Sequence, residues 1–264
     1  MARKIVVTGG KGGVGKTTVV GGLGTALSRL GYKTLLVDMD FGLNNLDVLL
    51  GVENKIVYDL IDVIESKCRP IQAVIEDIFE DNLFVLPSSH CFCSVKFGAN
   101  ELSGILKELE SCFDFILIDC PAGIDGGFKR AVGCADEYVL VTTPHLSAIR
   151  DADKVITELN KQTNKTPFLV INRARGDLML SGEMFKVESI TKHLSAELIG
   201  VIPDDDFVSV QLFSGRKMAG DSLSEISFDM MARNLTSDRR VIFDVTKRYR
   251  GLLGGIRKSL KRRL

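Results

Sequence analysis

The stretch Gly9-Gly10-Lys11-Gly12-Gly13-Val14-Gly15-Lys16-Thr17-Thr18 decides the fold. An apolar run, Ile5-Val6-Val7, precedes it, and a segment that reads as helix, Lys16 to Leu30, follows it before Gly31. Strand, glycine-rich loop, lysine, hydroxyl residue and helix is the order that builds a triphosphate cradle. Residues 10–17 fit G-x-x-x-x-G-K-[ST] in full. Glycines let the backbone curl until its N–H groups converge on phosphate oxygens. The helix behind adds its unpaired N-terminal N–H groups and the positive end of its dipole. The pattern assigns Gly10, Lys11, Gly12, Gly13, Val14, Gly15, Lys16, Thr17 and Thr18 to a nucleotide. In it the Lys16 ammonium serves the β- and γ-phosphates and the Thr17 hydroxyl serves Mg²⁺. An ordinary glycine-rich turn with a surface lysine is the competing reading, and the complete pattern in its strand–helix setting argues against it.

Outward from the loop, apolar runs alternate with helix-like segments. The strands expected are Lys4–Thr8, Thr34–Asp38, Leu83–Leu86, Phe115–Asp119, Tyr138–Thr142, Phe168–Asn172 and Leu198–Ile202. Several are unbroken Val/Ile/Leu stretches, as strands covered on both faces must be. The expectation is a single α/β nucleotide-binding domain, mostly parallel in its sheet, with helices on both faces. Gly21, Gly22 and Gly24 interrupt the first helix and predict close packing against the sheet. Val57–Ile64 and Ala99–Cys112 read as further helices.

Two strands end in acids, at the edge where parallel sheets bind ligands. Asp38 and Asp40 share one side of an extended chain by the two-residue period. A carboxylate there can hold Mg²⁺ or orient an attacking water. Phe115-Ile116-Leu117-Ile118-Asp119 is a buried strand whose terminal acid would emerge beside the same metal. Asn172 closes another strand, and an amide in that place can pair with the donor/acceptor edge of adenine.

Composition limits the rest. The chain has 264 residues and no run of 18 apolar ones, so no span of a membrane is expected. With Met1-Ala2-Arg3-Lys4 leading straight into a strand, the expected compartment is the cytoplasm and the six cysteines are expected to be reduced. Cys91-x-Cys93 beside His90 lacks a second pair at zinc spacing. The formal net charge of zero hides an asymmetry. Eight of the 34 basic residues lie between Lys247 and Leu264, with no acid among them, which leaves 26 basic against 34 acidic residues, a net of −8, in residues 1–246.

That segment, residues 247–264, reads as a separate tail on the 1–246 body. Tyr249, Leu252, Leu253, Ile256, Leu260 and Leu264 fall within an arc of about 120° on a helix, with Arg257, Lys258 and Lys261 opposite. Gly251, Gly254 and Gly255 would leave such a helix unstable alone in water. The combination suits a segment that folds on an anionic membrane surface. A last helix packed on the body and a nucleic-acid arm are the other readings, and the acidic body makes DNA the less expected partner.

The box Lys11-Gly12-Gly13-Val14-Gly15-Lys16-Thr17-Thr18 resembles the deviant Walker A sequence of the MinD/ParA family of ATPases. Asp38-x-Asp40-x-Gly42-x-x-Asn45-Leu46-Asp47 resembles the family's first switch, and Asp119-Cys120-Pro121-Ala122-Gly123 its second. The resemblance implies that Lys11 reaches the nucleotide of a partner subunit in an ATP-bound homodimer. It implies that Asp40 positions the hydrolytic water, that Asp38 and Asp119 support the metal and that the Gly123 backbone approaches the γ-phosphate. It also implies that Asn172, Pro203 and Asp205 enclose the adenine. The segment Ser147-Ala148-Ile149-Arg150-Asp151 resembles the start of the helix that meets the dimer partner and the regulator MinE, with Ser147 also a candidate N-cap. The resemblance runs nearly end to end, the amphipathic C-terminus included, and points to the cell-division branch of the family. There the cofactors are ATP and Mg²⁺, the ATP dimer sits on the cytoplasmic face of the membrane, the division inhibitor MinC is recruited and MinE or a similar factor releases it. A DNA-partitioning ATPase of the ParA type and a flagellar-placement ATPase of the FlhG type share the core and stay open on these residues.

Overall fold

The computed structural model describes residues 1–41, 45–77, 79–89, 97–205 and 222–251. Its chain alternates β1 (Arg3–Thr8), α1 (Lys16–Arg29), β2 (Thr34–Asp38), α2 (Leu46–Leu50), α3 (Leu60–Ile64), β3 (Ile75–Glu76) and β4 (Leu83–Leu86). It continues through α4 (Ala99–Leu109), β5 (Phe115–Asp119), α5 (Gly126–Val132), β6 (Glu137–Thr142), α6 (Leu146–Gln162) and β7 (Phe168–Ala174). The last elements are α7 (Gly176–Ser181), α8 (Val187–Leu194), β8 (Glu197–Pro203) and α9 (Leu223–Thr236). The strands form one eight-stranded sheet in the order β3-β4-β2-β5-β1-β6-β7-β8. All pairings are parallel except β3 with β4. The seven expected strands are all present. The antiparallel β3 was not expected: two residues on a sheet edge carry no periodicity.

Side chains alternate between two apolar layers by the strand period. Ile5 and Val7 of β1, Leu36 of β2 and Phe115 and Leu117 of β5 pack with α1, α2 and α9. Val6, Leu35, Val37, Ile116 and Ile118 pack against α3 to α8 on the other face. The same alternation turns Asp38 and Asp119, each two residues beyond an α1-facing leucine, toward the start of α1. Register pairs the two acids directly on neighbouring strands.

α1 is a poor helix by propensity, since its three glycines cost about 1 kcal/mol each. Burial of Val19, Val20, Leu23 and Leu27, all fully inside, outweighs that at about 1.5–3 kcal/mol per side chain. Only one of the glycines meets the sheet. A Cβ on Gly24 would lie 2.6 Å from Leu36, whereas one on Gly21 would meet Leu49 of α2 and one on Gly22 the Phe228 ring of α9, both at 2.5 Å. The glycines therefore let two further helices close over α1, more than the sheet packing expected. Gly31 ends α1 in the left-handed region with φ 91°, as a C-terminal glycine does.

Two helices begin elsewhere than expected. α3 starts at Leu60, because the Asp59 carboxylate accepts from the Ile61 and Asp62 N–H groups and Asp62 returns a bond to the Asp59 N–H. α6 starts at Leu146 with His145 as its cap, so Ser147 lies inside the first turn and is not the N-cap.

Beyond α9 the chain returns along α7. Val245 is buried, and a 3₁₀ turn spans Lys247–Tyr249 with Tyr249 half-buried. The expected tail helix begins in that turn, whose geometry is not α-helical. Leu252, Leu253, Ile256, Arg257, Lys258, Leu260, Lys261 and Leu264 lie outside the described residues, as do His90, Cys91 and Cys93. Cys68, Cys112, Cys120 and Cys134 are free thiols. Among the described residues no helix is long and apolar enough to cross a membrane.

Candidate active site

The loop between β1 and α1 emerges at the carboxyl end of the central strand. Gly13 and Gly15 take φ of 80° and 92°, a region closed to most side chains. Gly15 is the N-cap of α1 and no side chain caps that turn. The first N–H groups of α1 therefore have no acceptor from an N-cap side chain, which suits an anion site at a helix N-terminus. Among the described residues a Cβ on Gly12 or Gly13 would meet nothing within 4 Å, so they leave the loop's crest open, whereas one on Gly10 would strike Asp151 of α6 at 2.5 Å. Lys16 is only 8% exposed although it carries a charge. Burial of an ammonium is costly unless anions meet it, and here Asp40 and Asp119 both act on it electrostatically.

Those acids make the floor. Asp38 is 1% and Asp119 2% exposed. The Asp38 carboxylate accepts from the Asp40 N–H at 2.8 Å. Thr17 acts on the Asp119 carboxylate to favour its charged form, while Asp119 Oδ1 is buried with no hydrogen-bond partner among the described residues. Burial first, then the neighbouring acid charges, pushes both Asp38 and Asp119 up to about 7. Asp40, half-buried, is raised by burial against the opposing pull of Lys16. Among the described residues no group of three or more His, Cys, Asp or Glu gathers as a complete metal cage. Mg²⁺ does not require one: it takes one or two carboxylates and fills its octahedron with water and phosphate oxygens. A buried carboxylate oxygen left without a donor beside the Thr17 hydroxyl fits such an ion.

The raised pKa of Asp119 has a consequence for stability. Its folded value, about 7, lies above the ordinary 3.8. Between those limits the folded state holds a proton that the unfolded state has lost, so stability falls as pH rises and the whole cost is present above pH 7. Three units correspond to an upper limit of about 4 kcal/mol. Asp119→Asn keeps the shape without the charge. In metal-free, nucleotide-free protein its thermal midpoint should gain on the wild type as pH goes from 5 to 8. A gap that ignores pH would contradict the buried-charge account.

The other expected residues surround the same edge. Gly123, on the loop after β5, has φ 91°. Lys11 is exposed and donates from Nζ to the Ser147 hydroxyl of α6 at 3.0 Å. The Asn172 amide is buried beneath the loop and donates to the Val14 carbonyl at 2.9 Å, while its oxygen accepts from the Arg173 N–H at 2.9 Å. It retains one N–H and one lone pair beyond these bonds. Pro203 is buried opposite Ala174 at the paired ends of β7 and β8. The Asp205 carboxylate accepts from the Ser224 N–H and hydroxyl at 3.3 and 3.2 Å and so holds the start of α9. The Lys11–Ser147, Asn172–Val14 and Asp205–Ser224 bonds were not anticipated; each joins residues with no shared local pattern.

A loop of this form before a helix, at the centre of a parallel sheet and over paired acids, defines a P-loop ATPase. A family model described as an AAA domain matches residues 2–172. The septum site-determining protein MinD of Bacillus subtilis is 40% identical over 261 residues, which cover 97% of each chain. That of Synechocystis is 41% identical over 263 residues, 98% of this chain and 99% of that one. Among solved structures, a chain of the MinC:MinD cell division protein complex of Aquifex aeolicus aligns with a TM-score of 0.82 at 35% identity, over 91% of this chain and 97% of that one. The MinD of Pyrococcus horikoshii, solved with Mg-ADP, aligns with a TM-score of 0.77 at 30% identity, over 89% and 96%. The chain belongs to the MinD family of septum site-determining ATPases.

Proposed function

We propose that this ATPase marks the division site by switching between a free form and an ATP-bound homodimer on the cytoplasmic face of the membrane. The observation that carries the reading is the phosphate loop, uncapped at Gly15 and facing two buried acids. In this reading residues 10–18 hold the triphosphate and Lys16 neutralises its β- and γ-oxygens. Thr17, Asp38 and Asp119 hold Mg²⁺, directly or through water. Bound there, the cation would supply positive charge to the phosphate oxygens. Asp40 orients the attacking water, and Lys11, released from Ser147, adds its charge to the nucleotide of the partner subunit. Asn172, Pro203 and Asp205 border the base, and the Gly123 backbone senses the γ-phosphate.

The tail supplies membrane affinity. Its apolar stripe, Tyr249, Leu252, Leu253, Ile256, Leu260 and Leu264, and its cationic face, with Arg257, Lys258 and Lys261, suit an anionic bilayer. Two tails in a dimer bind far more tightly than one. The ATP dimer also recruits the division inhibitor MinC, a reading supported by the likeness to the Aquifex aeolicus MinC:MinD complex. A MinE-like factor ends the cycle by stimulating hydrolysis.

Sedimentation with anionic liposomes tests this, in ATP and in ADP, for the full chain and for one ending before Lys247. The expected result is pelleting that needs both ATP and the tail. Pelleting indifferent to nucleotide would make the tail a constant anchor, and no pelleting would refute the membrane reading and send the ATP form to a DNA-binding assay.

A further inference from the structure

We infer that Asn172 is a positioning residue that aims the phosphate loop, whatever base the nucleotide carries. Asn172 lies two residues before the end of β7, two strands from the loop's own strand, and is 5% exposed. Its orientation is fixed by its partners. The Arg173 N–H can bond only the amide oxygen, at 2.9 Å, so the amide nitrogen must face the Val14 carbonyl, also at 2.9 Å.

That bond orients the next peptide group. Val14–Gly15 is a planar trans unit, so its C=O and N–H point in opposite directions. Holding the Val14 carbonyl down on Asn172 turns the Gly15 N–H away from Asn172 and β7. Gly15 itself admits the amide: its Cβ would lie 2.2 Å from the Asn172 nitrogen, and its φ is already left-handed. The Gly at this position thus serves the turn and the approach of Asn172 together. Without the amide donor the Val14 carbonyl, inside a residue only 2% exposed, loses its side-chain partner, and the loop pays the reorganisation when phosphates arrive.

This rests on reading residues 9–18 as the phosphate loop, and a ligand without a base separates the two ideas. The test is calorimetric titration of the full chain with magnesium tripolyphosphate, Mg-ATP and Mg-GTP. Asn172→Asp keeps the acceptor for Arg173 but sets a carboxylate oxygen against the Val14 carbonyl. Affinity should fall about tenfold for all three ligands alike, as loss of one buried donor implies. Unchanged tripolyphosphate affinity, or a loss confined to ATP, would overturn the inference and leave Asn172 a reader of adenine alone. Tripolyphosphate affinity left unchanged by Lys16→Ala would fault the loop assignment itself. Should Asn172→Asp fail to fold, side-chain amide exchange by NMR in the nucleotide-free wild type decides. One Nδ2 proton of Asn172 should be protected; two that exchange freely would overturn the inference.

Discussion

Lys16→Ala should weaken nucleotide binding by at least about thirtyfold while leaving the chain folded. The side chain is 8% exposed, stands at the first position of α1 and feels Asp40 and Asp119. In the ligand-free protein it offsets two acids; with a triphosphate it meets the most concentrated anionic charge it can encounter. Truncating one partner of a buried charge pair costs about 2–5 kcal/mol, so the dissociation constant for Mg-ATP should rise by about thirtyfold to several thousandfold. The fold should survive, because α1 is held by Val19, Val20, Leu23 and Leu27. Loss of Lys16 even raises Asp119 further, which favours its neutral form in the apo protein. Titration with a fluorescent ATP analogue, beside a far-ultraviolet spectrum, checks both halves. Normal affinity in the variant would remove the phosphate-loop assignment.

How much of this was legible depends on the range of the cause. Ile5-Val6-Val7, Phe115–Asp119 and the loop between residues 9 and 18 announce themselves, since burial on both faces and left-handed turns are local demands. The two acids were legible too: each ends an apolar strand, which puts Asp38 and Asp119 at the edge where parallel sheets bind ligands. What stayed hidden is long-range or too short to have a period. Two residues of β3 cannot alternate visibly. Asp59 looked like part of a helix because its role, capping Leu60, is a choice between two backbone states. Ser147 looked like a cap because hydroxyls favour that place, but His145 takes it and Ser147 meets Lys11 instead. Gly21 and Gly22 signalled close approach, without saying that Leu49 and Phe228 approach them. The bond from Asn172 to Val14 spans 158 positions and leaves no trace in either neighbourhood. The folding signal is therefore strongest where one element decides, and weakest where two elements meet.

Asp40→Ala should leave ATP binding nearly intact and stop its hydrolysis. Asp40 lies just past β2, tied by its N–H to Asp38 at 2.8 Å, so its backbone is anchored while its half-buried side chain remains outside the phosphate loop. It cannot be a major source of ground-state affinity, because it carries the same sign of charge as the phosphates. Its removal should if anything tighten ATP by relieving repulsion. Orienting and accepting a proton from water is worth about 10²–10⁴ in rate, and single-turnover hydrolysis should fall within that range. An ATP-bound dimer should then accumulate, visible in sedimentation velocity as a species absent with ADP. The raised pKa adds a second signature. Since burial holds the Asp40 carboxyl above its ordinary 3.8, the wild-type rate should climb with pH through that shifted value as the ionised, proton-accepting form appears. Asp40→Asn, which can still orient water without taking its proton, should lose that limb of the profile and keep more of the rate than Asp40→Ala. Undiminished turnover in the alanine variant would transfer the water to another group. A loss of rate that came with an equal loss of ATP affinity would make Asp40 a support for the loop, because a residue that acts only on the attacking water has no means of holding the substrate.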